Sequence, residues 1–277
     1  MKFQTLLLAV VALSAPLTSS ARASADDSGT APTYHLFAPV PRSAMRPLST
    51  DRPDTTESPY TVDAGHFQME MDVAVLAIAN RGGTRAREVD LAAVNLKLGL
   101  TSFTDLQLIL EPYQLSTVRS GSTASVSEGY GATTARLKFN VYGNDGGSTA
   151  LGLMPYVSYA HGVTEGGLIV DFGASLPGDF SLGAMLETDL VHLDSGRYGV
   201  EELTSLTCGH ALIGVMSAYV EFAATLTAYD VAASLLAVNG GLTFAVNDDV
   251  QLDTGVRVGA VGEQSDVEAF AGVSARF

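Results

Sequence analysis

Charged side chains recur at every second position along the apolar segments of this sequence, so each set falls on one face of a β-strand. Charges enclosed within a protein persist only when they are paired or hydrated. Two interpretations follow: an ion-pair network that fills the interior, or a hydrated, modestly cation-favouring path whose charges orient a polar or aromatic solute. The groups that we predict to face inward are Glu70, Asp72, Lys97, Glu111, Arg136, Lys138, Asp171, Glu187, Asp189, Glu221, Asp253, Arg257 and Arg276.

Catalytic chemistry has less support in the sequence. A membrane-embedded lipid hydrolase or acyltransferase would need a serine–histidine pair with an acid. The histidines are scattered, and no G-x-S-x-G motif occurs. No paired His or Cys spacing suggests a metal site, and the single Cys208 is interpreted as a small packed side chain. We therefore predict no enzymatic activity, no metal and no cofactor, and keep the membrane hydrolase as an alternative.

The elements that position the charges are segments of alternating polarity separated by turn residues. The hydrophobic content of the whole chain is high, at 47% with a mean hydropathy of +0.23. Beyond the N-terminal region, however, no apolar run approaches the roughly 20 residues of a membrane helix. Alternating strands can cross a bilayer only by closing into a barrel that satisfies every backbone group. We predict an all-β fold, a transmembrane antiparallel up-and-down β-barrel of about twelve strands.

Particular segments carry more specific expectations. Residues 116–130, rich in Ser and Gly, are predicted to be the longest connection, and Pro155 implies a bulge or local break in its strand. The eighth strand, about residues 199–210, is the least regular in pattern. The first strand begins at residue 66, and its outward face is predicted to hold Phe67, Met69, Met71, Val73 and Val75.

Aromatic residues are sorted between the two predicted ends of the barrel. Two aromatic girdles are typical of a membrane barrel, whereas a soluble β-sandwich, the alternative fold, has no reason for such sorting. One end is predicted to hold Phe67, Phe103, Phe139, Phe180, Phe244 and Phe277, and the other Tyr113, Tyr130, Tyr159, Tyr198 and Tyr229.

The N-terminal region differs from the rest. Residues 1–25 have the basic, apolar and small-residue order of a secretory signal, and the barrel is predicted over residues 66–277. Between them, residues 26–65 form a proline-rich leader that cannot be a regular central strand. Asp51, Arg52 and Asp54 are predicted to lie in a turn held by its own charges. The leader is either a solvated periplasmic segment or a segment in the barrel mouth that pairs Arg46 or Arg52 with inward acids.

The net charge of the chain and its predicted export limit the molecules that it could bind. Removing Lys2 and Arg22 with the signal takes the formal charge from −15 to −17, which excludes nucleic acid as a partner. Export and a barrel together predict the outer membrane of a Gram-negative cell, with membrane lipid as a partner. The final strand, ending in Phe277, is predicted to be the signal for the barrel-assembly machinery. The oligomeric state is left open.

Four stretches resemble a known family. Residues 46–72 read RPLSTDRPDTTESPYTVDAGHFQMEMD, residues 98–108 LGLTSFTDLQL, residues 219–222 YVEF, and residues 247–259 NDDVQLDTGVRVG. They are similar to the opening signature and recurring hairpins of a family of transporters of the meta-pathway of phenol degradation. The resemblance spans about residues 46–277 and implies an outer-membrane barrel that is a channel for small organic molecules. It carries over no catalytic residues, and a structural barrel without transport remains an alternative.

Overall fold

The computed structural model describes residues 33–228, 235–261 and 266–277. The predicted signal, residues 1–25, and the first part of the leader lie outside the described residues. Within the described ranges, no helix is long and apolar enough to cross a membrane. The helical element found there is a single 3-10 turn, Arg42–Ala44.

Antiparallel strands make up nearly all of the remaining chain. They are β1 (Phe67–Arg81), β2 (Thr84–Thr101), β3 (Thr104–Leu110), β4 (Tyr113–Ser120), β5 (Thr123–Gly129), β6 (Ala132–Tyr142), β7 (Thr149–Ala160), β8 (Val163–Leu176), β9 (Phe180–His192), β10 (Tyr198–Ile213), β11 (Met216–Thr227), β12 (Leu235–Asn247), β13 (Val250–Val261) and β14 (Val267–Arg276). Strand β1 pairs with both β2 and β14, so the sheet closes on itself. Because β4 extends β3 and β5 extends β6, the wall has twelve strands, as predicted.

The expected loop at residues 116–130 is wrong. These residues form most of the β4–β5 hairpin, and β4 pairs with the outer half of β2 from Leu91 opposite Tyr113 to Thr84 opposite Ser120. The long strand β2 leaves backbone donors and acceptors unpaired beyond β3, and the Thr- and Val-containing segment satisfies them. The Ser- and Gly-rich composition concealed a strand pair that is polar on both faces.

The predicted outward face of β1 holds only at its start. A β-bulge lies between Asp72 and Ala74 in the pairing with β14, and an extra residue in one strand reverses the side-chain alternation that follows. Val73 is exposed on the outside, whereas Val75 lines an internal cavity beside Arg52. The prediction for Val75 is therefore wrong.

Pro155 interrupts the pairing of its strand locally, as predicted, but without a bulge. It stands opposite Leu168 in a β7–β8 register that continues unshifted through both fully described strands. On the other side of β7, the pairing with β6 is interrupted at Leu137 and Lys138 and then resumes in the same register. Since proline lacks an N–H, two successive residue pairs are missing from the ladder, but no bulge forms there. The eighth predicted strand is longer than expected, as β10, and its pairing is regular up to a register shift between Ala211 and Ile213.

The barrel is apolar outside and polar inside. Exposed leucines, valines and aromatics cover the outer face, while the buried set is rich in charged and amide side chains. At the end that holds both barrel termini, the Phe277 ring packs on Phe67 at 5.9 Å between centroids, and the Phe277 N–H donates to the Phe67 carbonyl. We call this the periplasmic end, because both termini of an even-stranded outer-membrane barrel lie on the periplasmic side. Tyr229 lies outside the described residues.

Candidate functional site

The second half of the leader folds into the barrel as a loop closed at its base. The Val40 N–H donates to the Ala64 carbonyl (3.0 Å), and His66 Nε2 donates to the Val40 carbonyl (2.7 Å). Residues 41–63, which we call the lumen loop, therefore leave and rejoin the wall at the same point. Gly99 is required there, because a Cβ at this position would lie 2.0 Å from the Asp63 carbonyl oxygen.

The Asp51 carboxylate is the centre of a cluster of ion pairs that attaches the loop to the barrel wall. Its carboxylate accepts from Lys97 Nζ (2.5 Å) and Lys138 Nζ (2.6 Å), on β2 and β6. Glu70 of β1 also pairs with Lys97 and accepts from the Asp51 N–H (3.0 Å). All four groups are buried, so the charges compensate one another in place of water.

Arg52 attaches the loop to two further positions of the wall, on β1 and β13. Its guanidinium forms a two-pronged pair with Asp253 of β13 (2.7 and 3.2 Å) and a further pair with Asp72. The Phe270 ring lies 6.0 Å below it, a cation–π distance. Gly272 leaves room for the guanidinium, since a Cβ there would be 2.2 Å from Nη2.

Thr56 fixes the tip of the loop to β10 and β11. Its N–H and hydroxyl both donate to the Glu221 carboxylate (2.7 and 2.6 Å), and its hydroxyl lies 2.7 Å from that of Ser205. The next residue, Glu57, pairs with Arg136 of β6 (2.5 Å). Since these partners stand on opposite walls of the barrel, the loop crosses the lumen rather than lining one side.

Arg46 holds the entry of the loop to its exit. Its Nε donates to Asp63 (2.7 Å), while its carbonyl accepts from Arg276 Nη1 of β14 (2.8 Å). The sequence-based alternative in which leader arginines pair with inward acids is thus the one observed. The predicted turn held by its own charges is wrong, because Asp51 and Arg52 both bond to the wall instead of to each other.

Most predicted inward residues face the lumen and contact this loop. Those that bond directly to it are Glu70, Asp72, Lys97, Arg136, Lys138, Glu221, Asp253, Arg257 and Arg276. Glu111 instead accepts from the Ala132 N–H (2.8 Å), where the two bent strands break.

Besides Glu111, three predicted acids form no hydrogen bond or ion pair with the described part of the loop. Asp189 bonds to the Tyr156 hydroxyl and, with Glu187, lines a cavity towards the outer end. Asp171 is fully buried beside Gly152, and within the described residues its carboxylate oxygens have no hydrogen-bond partner.

Several contact residues escaped the sequence-based prediction. Asp105 accepts from the Val62 N–H (2.9 Å), and Asn140 donates to the Pro59 carbonyl (2.7 Å). Both share the parity of neighbours that were predicted to face inward, so alternation alone could have found them. Glu57 and Thr56 lie in an irregular segment without periodicity, and no comparable signal marks them.

The loop leaves cavities on both of its sides. On the outer side, one of about 310 Å³ is lined by Arg52, Asp54, Arg257 and Phe270, among others. A second, of about 220 Å³, includes Glu187 and Asp189. On the periplasmic side, a cavity of about 640 Å³ includes Leu48, Tyr60, Val62 and Arg276. A cavity of about 150 Å³ is enough to hold a benzene molecule.

Three loop carboxyls have altered proton affinities, and one of them is Glu57, whose pKa is raised to about 8 by burial and by the Asp51 charge. Burial alone would raise the pKa of Asp51, but the Lys138 and Lys97 ammonium groups outweigh it and lower that pKa below its ordinary value. Burial, with the nearby Glu221 charge, raises the pKa of Asp54 to about 7. Asp54 lines the outer cavity, so its proton is held at the edge of the space that a solute would occupy.

A closed twelve-strand wall with an apolar exterior and a charged interior is the architecture of outer-membrane β-barrels, and this places the chain in the outer membrane. Residues 50–277 match the sequence model of the family described as "Putative MetA-pathway of phenol degradation", and the chain belongs to this family. The predicted resemblance is confirmed. None of the curated proteins matches the chain in sequence.

Solved structures of channels and porins are similar to this chain at low sequence identity. The COG4313 outer membrane channel from Pseudomonas putida F1 has a TM-score of 0.56 and 12% identity, covering 83% of this chain and 100% of that one. The NanC porin has a TM-score of 0.49 at 7% identity, covering 76% and 98%. The CymD monoaromatic hydrocarbon channel has 0.46 at 9%, covering 76% and 87%.

Proposed function

We propose that this protein is an outer-membrane channel for small polar or aromatic organic solutes, which pass through its charged lumen when the lumen loop is displaced. The observation that carries the proposal is the set of three cavities, two on the outer side of the loop and one on its periplasmic side. Each outer cavity exceeds the volume that holds benzene, and each combines charged groups with apolar wall. Family membership and the fold shared with the COG4313 channel support the same reading.

The way in which the loop is held supports displacement. It is attached to the wall mainly by ion pairs and hydrogen bonds, which a hydrated lumen can replace with water at modest cost. The wall needs no help from the loop, because every strand is paired around the closed sheet. Opening therefore changes the lumen and leaves the barrel intact.

A charge-selective uptake assay tests the proposal. Mature protein in liposomes is offered phenyltrimethylammonium or benzenesulfonate, two aromatic ions that cross lipid poorly. A variant whose residues 47–60 are replaced by an equally long Gly-Ser segment is measured in parallel. We expect uptake by both proteins, faster in the variant, with the cation favoured because inward acids exceed inward bases. Uptake by neither folded protein would contradict the channel and favour a structural barrel.

An enzymatic role is less consistent with the described contacts. His66 bonds to the main-chain oxygen of Val40, His192 packs against Tyr198, and His210 packs against Phe180. Each of these histidines is thus engaged with backbone or aromatic rings rather than with a serine and an acid. A lipase assay on the purified protein, with serine-to-alanine variants as controls, would reveal any such activity.

A further inference from the structure

A tight turn in the leader projects a phenylalanine from the periplasmic rim. His35 and Ala38 exchange both backbone hydrogen bonds (3.1 and 2.9 Å), and the Phe37 N–H donates to His35 Nδ1 (3.2 Å). The alternating residues Tyr34, Leu36 and Ala38 are half-buried. Phe37, by contrast, is 87% exposed, the highest value among the large apolar side chains described. The turn therefore fixes Phe37 pointing away from the protein.

The turn is built onto the end of the barrel wall. His35 forms a β-bridge with Thr101, the last residue of β2, and the Leu36 N–H donates to the Leu100 carbonyl (2.8 Å). Strand β1 begins only at Phe67, opposite Leu98, so the end of β2 would otherwise lack a partner on this side. The turn continues the wall where β1 has not yet started.

This position is continuous with the aromatic girdle of the periplasmic end. The Phe103 N–H donates to the hydroxyl of Thr101, the residue that bridges to the turn. Phe67, Phe103 and Phe277 are all exposed on the outer surface at this level. Aromatic side chains at such a level lie in the membrane–water interface. Phe37 adds one more aromatic to that ring, contributed by the leader instead of by a strand.

We propose that the Phe37 turn is a lipid anchor that inserts into the periplasmic leaflet of the outer membrane. Two residues after Ala38, Val40 closes the base of the lumen loop. The anchor therefore pins the incoming end of the loop to the membrane, while β1 pins the outgoing end. The loop is held at both ends, so it moves within the lumen instead of swinging out as a free N-terminal arm.

The chain contains no tryptophan, so a single substitution provides a clean probe of depth. Phe37→Trp is compared with Phe103→Trp, in the girdle, and with Ser43→Trp, on the exposed 3-10 turn at the same end. Each mature protein is reconstituted in phosphatidylcholine vesicles with or without acyl-chain dibromination. Folding is verified by heat-modifiable migration in gels, and an 87% exposed site should tolerate the larger ring.

We expect brominated lipid to quench the Phe37→Trp emission at least half as strongly as that of Phe103→Trp, with a blue-shifted maximum. Ser43→Trp should stay unquenched and red-shifted. Quenching of Phe37→Trp no greater than that of Ser43→Trp would overturn the proposal. A blue-shifted but unquenched Phe37→Trp would also overturn it, because the ring would then be covered by protein, either a second copy or another periplasmic chain.

Discussion

Replacing Asp51 by asparagine should release the lumen loop without unfolding the barrel. The Asp51 carboxylate is the shared partner of the Lys97 and Lys138 ammonium groups, at 2.5 and 2.6 Å. Asparagine has nearly the same shape but no charge. In the Asp51→Asn variant, Lys97 still pairs with Glu70. Lys138, by contrast, loses its carboxylate partner and retains its hydrogen bond to the Ser58 carbonyl (2.7 Å).

The size of the effect follows from burial. Removing one partner of a buried ion pair costs about 3–5 kcal/mol. Because Glu70 still compensates Lys97, the lower end of that range, about 3 kcal/mol, is the appropriate figure. Each 1.4 kcal/mol is a factor of ten in an equilibrium constant, so the ratio of displaced to seated loop should rise by roughly 100-fold. Salt should alter this little, since buried pairs are weakly screened.

Single-channel recording in a planar bilayer measures this ratio as the open probability. The matched control is Arg42→Gln, which removes an ion pair of the same loop with Asp249. That arginine is 64% exposed, and exposed pairs contribute about 0–1 kcal/mol, so the control should behave as the wild type. If folded Asp51→Asn protein opened no more often than Arg42→Gln, the ion-pair cluster would not hold the loop.

Three further predictions concern the same loop. Gly272→Ala should raise the open probability, because its Cβ would displace the arginine guanidinium beside it, whereas Gly129→Ala, with open space around it, should not. A disulfide between Thr56→Cys and Ser205→Cys, whose hydroxyl oxygens are 2.7 Å apart, should abolish conductance until reductant is added, in a chain whose native cysteine is replaced by serine. The pKa of Asp54 is raised to about 7 in the seated loop, so seating binds a proton. The pKa of Glu57, in the same loop, is also raised, to about 8. Opening should therefore increase from about pH 4 to 8 and then level off, while Asp54→Asn should show a smaller rise at higher pH.

The sequence was sufficient for the wall because one physical rule governs every strand. A barrel in lipid must place apolar residues outside and polar residues inside, so parity predicts orientation for residues such as Lys138 and Glu221. The rule fails where a strand leaves the bilayer. The β4–β5 hairpin, with β5 exposed along its whole length, has no apolar face and so shows no alternation. The bulge between Asp72 and Ala74 changes parity for a reason that only the pairing reveals.

The sequence indicated which type of interaction holds the loop, but not which residues form the contacts. The cluster around Asp51 and Arg52 indicated a partner of opposite charge, and inward acids and lysines were available on several strands. Which pairs form depends on where a proline-rich chain without periodicity runs through three-dimensional space. Thr56 illustrates the difficulty: its bonds to Glu221 join residues 165 positions apart in the chain, and nothing in the local sequence marks it.

The wall and the loop are stabilised by different interactions. This explains how a lumen that the loop fills can still let solutes pass. The wall obtains its stability from a closed hydrogen-bond ladder and an apolar exterior in lipid, neither of which involves the loop. Among the described residues, the interior contains a small apolar cluster centred on Met154, Ile169 and Met185. The loop is seated by charges that already face a polar lumen. Displacing it exposes groups that water can solvate, and the barrel persists around a wider path.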